Sequence, residues 1–208
     1  MINTIIFDLG AVLIDRNPNY LYEKIFTNET ERQHFLENVC TPAWNEEQDG
    51  GRTLQEATEL LVAQLPEHEE NIRAYYNRWP EMLRGPISGT VDILQALKAS
   101  KNYRLFALTN WSAETFPIAL EQFDFLNWFD GIVVSGTEKD RKPFASFYQT
   151  LLNRYNINPT EALFIDDNLR NVKAAEQLGI HAIHFLNPAQ LRSSLDDYGV
   201  LVHDSPEI

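Results

Sequence analysis

Short apolar runs that stop on polar residues recur along this chain. Ile5, Ile6 and Phe7 run into Asp8, and Gly10 stands two positions further on. Residues 105–110 read LFALTN, the apolar Ile132, Val133 and Val134 precede Lys142-Pro143, and residues 162–168 read ALFIDDN. Runs this short, apolar throughout and closed by polar or turn-forming residues, predict parallel strands buried on both faces.

From Ser88 onward, helical periodicity alternates with these runs. Val91, Ile93, Leu94 and Leu97 predict a helix over 88–99, followed by a strand over 103–109 and a helical stretch after Ser112 with Pro117 in its first turn. Strand 131–134, helix 144–155, strand 162–166, helix 169–178 closed by Gly179, strand 181–185 and a last helix from Pro188 continue the pattern. Such alternation predicts an α/β protein with a doubly wound parallel sheet. Residues 16–84 break it, with helical stripes such as Leu21, Tyr22, Ile25 and Phe26, then Ile72, Tyr75, Tyr76 and Trp79. They read as an inserted α-helical unit that returns through Arg84-Gly85-Pro86, where glycine and proline suit a bend. The expected organisation is a core of residues 1–15 and 85–208 with an insertion of residues 16–84.

Open α/β sheets place their ligands at the carboxyl ends of the strands. That makes Asp8, Thr109, Asn110, Asp166 and Asp167 candidates for chemistry, together with Lys142 after the next run. Each has an ordinary alternative. Asp8 could cap a turn, Asp166-Asp167 could cap the helix that follows, Thr109 could be a strand-end hydroxyl and Lys142 a surface lysine.

Composition narrows the class. With 208 residues, 44% hydrophobic and 12% aromatic, the chain can bury a core domain plus a modest insertion. A formal charge of −13 and a pI near 4.7 argue against nucleic acid, whose phosphates call for a surplus of Lys and Arg. No apolar run is long enough for a membrane span and no basic segment with an apolar stretch opens the chain, so no membrane association is expected. The single cysteine, Cys40, rules out an internal disulfide, lacks a second thiol for a zinc cluster and fits a reducing compartment, with the cytoplasm as the default. Carboxylates converging on an anionic ligand would repel it unless a divalent cation lay between them.

The order Asp, Thr-Asn, Lys-Pro, Asp-Asp, each following a strand-like run, resembles the signature motifs of the haloacid dehalogenase-like hydrolase superfamily over nearly the whole chain. The resemblance implies a Rossmann-like core with a helical cap over the catalytic face. It places the strands of Asp8 and Asp166-Asp167 side by side, with strand 103–109 on the other flank. It implies a phosphatase acting on a small phosphorylated metabolite through an aspartyl-phosphate on Asp8. Mg²⁺ would be held by Asp8, the Gly10 carbonyl and Asp167, with Asp166 acting through water or holding Lys142. The Thr109 hydroxyl and the Asn110 backbone N–H would take phosphoryl oxygens, and Lys142 would neutralise developing charge. A monomer or homodimer is expected.

Gly10 departs from the pattern, because most phosphatases of the superfamily carry there a second aspartate that protonates the leaving oxygen. Asp15 or Asp49 could replace it. The DLG form is shared with bacterial sugar-phosphate phosphatases, the subgroup this chain resembles most. A metal-independent 2-haloacid dehalogenase using the same nucleophile is the alternative enzyme, although dehalogenases normally carry a serine where this chain has one of the paired aspartates. A catalytically silent binding or regulatory protein is the remaining reading. In the insertion, Trp44 and Arg52 of the segment CTPAWNEEQDGGRT are candidates to contact a polar leaving group, the alternative being that Trp44 packs the insertion's core and Arg52 is solvated, and Gly50-Gly51 suit a tight turn toward the site.

Overall fold

The computed structural model describes residues 1–200 and Val202; residues 201 and 203–208 of the expected core segment lie outside the described residues. The chain enters through β1 (Thr4–Phe7) and a short β2 (Ile14–Arg16). It then forms helices α1 (Asn19–Tyr22), α2 (Glu29–Asn38), α3 (Pro42–Asp49), α4 (Leu54–Gln64) and α5 (Glu69–Asn77). It returns through β3 (Leu83–Pro86) to α6 (Ser88–Ser100), β4 (Arg104–Thr109), α7 (Phe116–Gln122), β5 (Gly131–Val134), α8 (Ser135–Glu138) and α9 (Ala145–Arg154). The last elements are β6 (Ala162–Asp166), α10 (Leu169–Gln177), β7 (His181–His184) and α11 (Pro188–Asp197). Pro117 is the second residue of α7, where its missing N–H costs no hydrogen bond.

Five strands form a parallel sheet in the order β5-β4-β1-β6-β7, so β1 lies between β4 and β6. Ile6 is level with Phe106 on one side and Phe164 on the other. Side chains alternate across the pleat. Ile5, Phe7, Leu105, Ala107, Leu163 and Ile165 pack with Ile93, Leu94 and Leu97 of α6 and Leu191 and Leu195 of α11. Ile6, Phe106, Leu108 and Phe164 pack instead with Phe147, Tyr148 and Leu151 of α9 and Ala175 of α10. Because helices cover both faces, a central strand has no polar side, which is why β1 reads TIIF and is buried throughout. The chain winds in opposite directions on either side of β1, and its carboxyl end is therefore a switch point that opens a crevice at Asp8.

A second element was not visible in the periodicity. β2 and β3 pair antiparallel, with Ile14 opposite Pro86, Asp15 opposite Gly85 and Arg16 opposite Leu83. The expected bend at Arg84-Gly85-Pro86 is thus corrected to a strand. Gly85 has φ +139°, a conformation side-chain-bearing residues rarely adopt, which explains a glycine inside the pairing. The expected boundaries at 15/16 and 84/85 both fall within this two-stranded ribbon.

The apolar faces of the inserted helices join the core on the face of the sheet covered by α6 and α11, and within them the ring of Tyr22 meets that of Phe35 at 4.9 Å, tilted by 46°. Trp79 meets Trp111 of the main domain at 5.6 Å, joining the two layers edge to face. Helix α3 starts with the Thr41 hydroxyl accepting the Trp44 N–H and Pro42 in the first turn. It ends at Gly50, and Gly51 turns the chain at φ +106°.

Candidate active site

Asp8 is the first residue beyond β1, and the ladder still holds its backbone: its N–H donates to the Ile165 carbonyl at 2.8 Å. The carboxylate is thereby fixed at the sheet edge, 8% exposed. Oδ1 accepts from the Leu9 N–H at 2.7 Å and from Lys142 Nζ at 3.0 Å, which leaves Oδ2 outside both contacts. Burial raises its pKa to about 7, with Lys142 pulling it down and Asp166 and Asp167 pushing it up.

Lys142 is fully buried between two carboxylates, with Asp166 Oδ2 at 2.7 Å. Burial disfavours its charge, yet Asp166 and Asp8 outweigh that and hold its pKa above the ordinary lysine value. The Asn110 side chain clamps the lysine's backbone, donating to its carbonyl at 3.0 Å and accepting its N–H at 2.9 Å. The Asn110 side-chain amide thus fixes the backbone of Lys142. Thr109 is fully buried at the end of β4, and its Oγ1 has no hydrogen-bond partner. A buried hydroxyl without a partner is costly and is satisfied when an oxygen-rich ligand meets it.

Sequence reasoning missed Asn171. In the first turn of α10, its Nδ2 donates to both oxygens of Asp166 at 3.1 Å, while the Asn168 N–H adds a third contact to Oδ1 at 2.8 Å. Asp166 is thus saturated by Lys142, Asn171 and Asn168 and braces the lysine. The signal was available: Asn171 stands one helical turn after Asn168, facing the strand end that carries Asp166.

Asp8, Asp166 and Asp167 each place an oxygen within 4.8 Å of the others, and Asp167 is the exposed member. Burial first, then the Asp166 charge, raises the Asp167 pKa. Hard oxygen donors converging at this spacing suit a divalent cation of the Mg²⁺ kind. Gly10 stands next to this cluster, bridged to Ile14. A Cβ built on it would approach nothing closer than Trp111 Cζ3 at 4.0 Å, so the site has room for a side chain there.

A cavity of about 540 Å³ opens over the cluster. Asp8, Asn110, Asp167 and Asn171 line it from the main domain, and Arg16, Asn45, Asp49 and Tyr75 line it from the ribbon and the insertion. Two ion pairs cross from α3 to the main domain beside it, Glu46 with Arg170 at 2.9 Å and Glu47 with Arg141 at 3.0 Å.

The other expected residues lie elsewhere. Trp44 does not line this cavity: its indole packs edge-on to Tyr75 at 5.2 Å and donates to the Ala57 carbonyl at 3.4 Å, so the expected substrate contact is corrected to packing within the insertion. An amphipathic indole in a small helical unit is worth more buried than exposed. Arg52 is turned back onto Gln48 Oε1 at 2.6 Å, and Asp15 accepts from the Tyr20 hydroxyl at 2.9 Å, so neither reaches the cavity. Asp49 does.

The sheet and its switch point, with a lysine-braced carboxylate under a covering insertion, place the chain in the α/β class. The chain belongs to the haloacid dehalogenase-like hydrolase family, whose model matches residues 5–185. It is 27% identical over 179 residues to a sesquiterpene phosphatase of Aspergillus oryzae, covering 86% of this chain and 87% of that protein. A phosphorylated carbohydrates phosphatase of Thermotoga maritima is 26% identical over 185 residues, covering 86% and 83%. A family enzyme of Bacteroides thetaiotaomicron, solved as a magnesium complex, superposes with a TM-score of 0.71 at 21% identity, over 94% of this chain and 98% of that one. Among the described residues no helix is long and apolar enough to cross a membrane.

Proposed function

We propose that this protein is an Mg²⁺-dependent phosphatase that hydrolyses a small phosphorylated metabolite through an aspartyl-phosphate on Asp8. The observation that carries this reading is the convergence of Asp8, Asp166 and Asp167 around one point with Lys142 behind them. The relatives named as phosphatases support it. A paired acid at the end of β6 would repel the carboxylate of a haloacid, whereas with a cation it is an asset for a phosphoryl group.

Asp8, Asp167 and the Gly10 carbonyl would hold Mg²⁺, with Asp166 behind them, and the chemistry supplied there is withdrawal of charge from the phosphoryl oxygens. Asp8 has two carboxylate oxygens, one for the cation and one to attack phosphorus, and the Leu9 N–H and Lys142 orient the group through Oδ1. Attack on phosphorus forms the Asp8 oxygen–phosphorus bond as the ester oxygen departs, and water then hydrolyses the intermediate. Thr109 Oγ1 donates to a phosphoryl oxygen and is satisfied by doing so. Lys142 keeps Asp8 oriented and offsets charge in the transition state. Arg16, Asn45 and Tyr75 then face the leaving group, which gives the insertion control of specificity.

The test is a screen of phosphorylated metabolites with and without Mg²⁺, run beside 2-chloropropionate. Phosphate release that requires the cation is the expected result. Halide release from 2-chloropropionate without metal, and no phosphate from any ester, would overturn the reading.

A further inference from the structure

The phosphatase chemistry leaves one proton unassigned. An alkyl ester oxygen departs as a strongly basic alkoxide unless a proton reaches it while the bond to phosphorus breaks. Gly10, next to the nucleophile, has no side chain to supply one. Among the described residues, the carboxyl groups lining the cavity are Asp8, Glu46, Asp49 and Asp167. Asp8 attacks phosphorus, Asp167 belongs to the cation cluster, and Glu46 is held in its ion pair with Arg170. The Cys40 thiol and the Tyr75 hydroxyl also line the cavity, but burial pushes each up to about 12, too weak an acid for the task.

Resting on the phosphatase reading, we propose that Asp49 is the general acid and base of the reaction, acting from the end of α3 in the insertion. Its carboxylate is positioned, not free. Oδ2 accepts from Asn45 Nδ2 at 2.8 Å, one helical turn earlier on the same face, and Asn45 Oδ1 in turn accepts from the Tyr76 hydroxyl at 3.1 Å and from Arg16 at 3.5 Å. The groups facing Asp49 are Arg16 of β2, Glu46 of its own helix, Arg141 of the loop after α8, the Ser112 backbone, and Tyr75 and Tyr76 of α5. Burial dominates and raises the acid to about 6, with Arg16 and Arg141 pulling down and Glu46 pushing up. A carboxyl in that range both gives and takes a proton near neutral pH.

The two half-reactions balance. In the first, the Asp8 oxygen bonds to phosphorus, the bond from phosphorus to the ester oxygen breaks, and that oxygen takes the Asp49 proton to leave as an alcohol. In the second, Asp49 takes a proton from water as the water oxygen bonds to phosphorus. The Asp8 oxygen–phosphorus bond breaks, phosphate leaves, and both carboxyl groups return to their starting states.

The experiment compares wild type and Asp49→Asn, in the presence of Mg²⁺, on glycerol 2-phosphate and 4-nitrophenyl phosphate. The alkyl ester is expected to slow by ~10²–10⁴-fold in its first turnover. The aryl ester, whose leaving oxyanion is stable without a proton, keeps its first turnover and gives a burst of nitrophenolate. Phosphorylated protein then accumulates, seen by intact mass. Equal slowing of both esters in the first turnover, or no slowing of either, overturns the assignment to Asp49. On unaltered protein, a normal solvent deuterium isotope effect on the alkyl ester alone supports it, and none on either opposes it, whatever the variant's folding. If wild-type protein releases phosphate from neither ester nor from any metabolite, the phosphatase reading itself fails and this assignment fails with it.

Discussion

Lys142 is held by Asp166 at 2.7 Å with neither side chain exposed to solvent. A buried pair of this kind is expensive to break from one side, because the remaining charge is left without its counter-ion in a medium that cannot solvate it. Lys142→Met strands Asp8 and Asp166 together. We expect it to lower kcat by at least ~10²-fold, the scale of one lost electrostatic contact in a closed site. It should also cost ~3–5 kcal/mol of stability. Without the lysine the buried carboxyls bind protons more tightly than in the unfolded chain, so the stability loss in urea should be larger at pH 7.5 than at pH 5. A loss independent of pH would show that the lysine acts through packing alone.

Asp8→Asn should remove turnover and keep the fold, since the amide has the shape of the carboxylate but cannot attack phosphorus. Beryllofluoride with Mg²⁺ offers a direct view of the nucleophile, and the expected adduct is on Asp8. An adduct on any other residue removes Asp8 from that role.

Asp167 is the exposed member of the carboxylate cluster. Calorimetry should find weaker Mg²⁺ binding in Asp167→Asn than in wild type, and chelation with EDTA should remove activity that Mg²⁺ restores. Equal affinity in the two proteins would take Asp167 out of the ligand set.

Much of this arrangement could be read from the chain. A central strand with helices on both faces must be apolar throughout, so Ile5, Ile6 and Phe7 mark β1 and make the polar residue that ends it conspicuous. The same logic marks Thr109 and Asp166. What could not be read is tertiary. Arg16 and Asn45 come from a ribbon and a helix whose approach to the sheet depends on packing, and each is an ordinary polar residue in its local context; Asp49 could be named only beside Asp15, and packing alone brings Asp49 to the cavity. Trp44 looked like a ligand contact because an aromatic residue in a polar segment has two good places, and the rings of Tyr75 and Tyr76 decide for the interior. The ribbon itself escaped because β2 is three residues long and β3 contains both glycine and proline.

Asp49 carries a stability cost that its removal should reveal. Its folded pKa, about 6 against 3.8 for an ordinary aspartate, means the native state binds the proton more tightly than the unfolded chain. Stability from this group is full below the unfolded value and is lost as pH rises through the folded one. Asp49→Asn should therefore be more stable than wild type by ~1–3 kcal/mol at pH 7.5, shrinking toward nothing near pH 4. Urea titrations of both proteins at the two pH values measure it. A variant less stable than wild type at pH 7.5 would mean that the ionised carboxylate is a net structural asset beside Arg16.

The ribbon of β2 and β3 has a consequence for how such a protein diversifies. Arg16 and Leu83 are register partners, so the ends of the intervening helices stand about one strand spacing apart, ~5 Å. A segment whose ends are that close can be lengthened, shortened or exchanged without displacing what it is spliced into. Asp8, Lys142 and Asp166 are fixed by the sheet and its own loops, while Asn45 and Asp49 arrive with the spliced segment. Exchanging that segment would therefore exchange the leaving-group chamber and the proposed proton donor together.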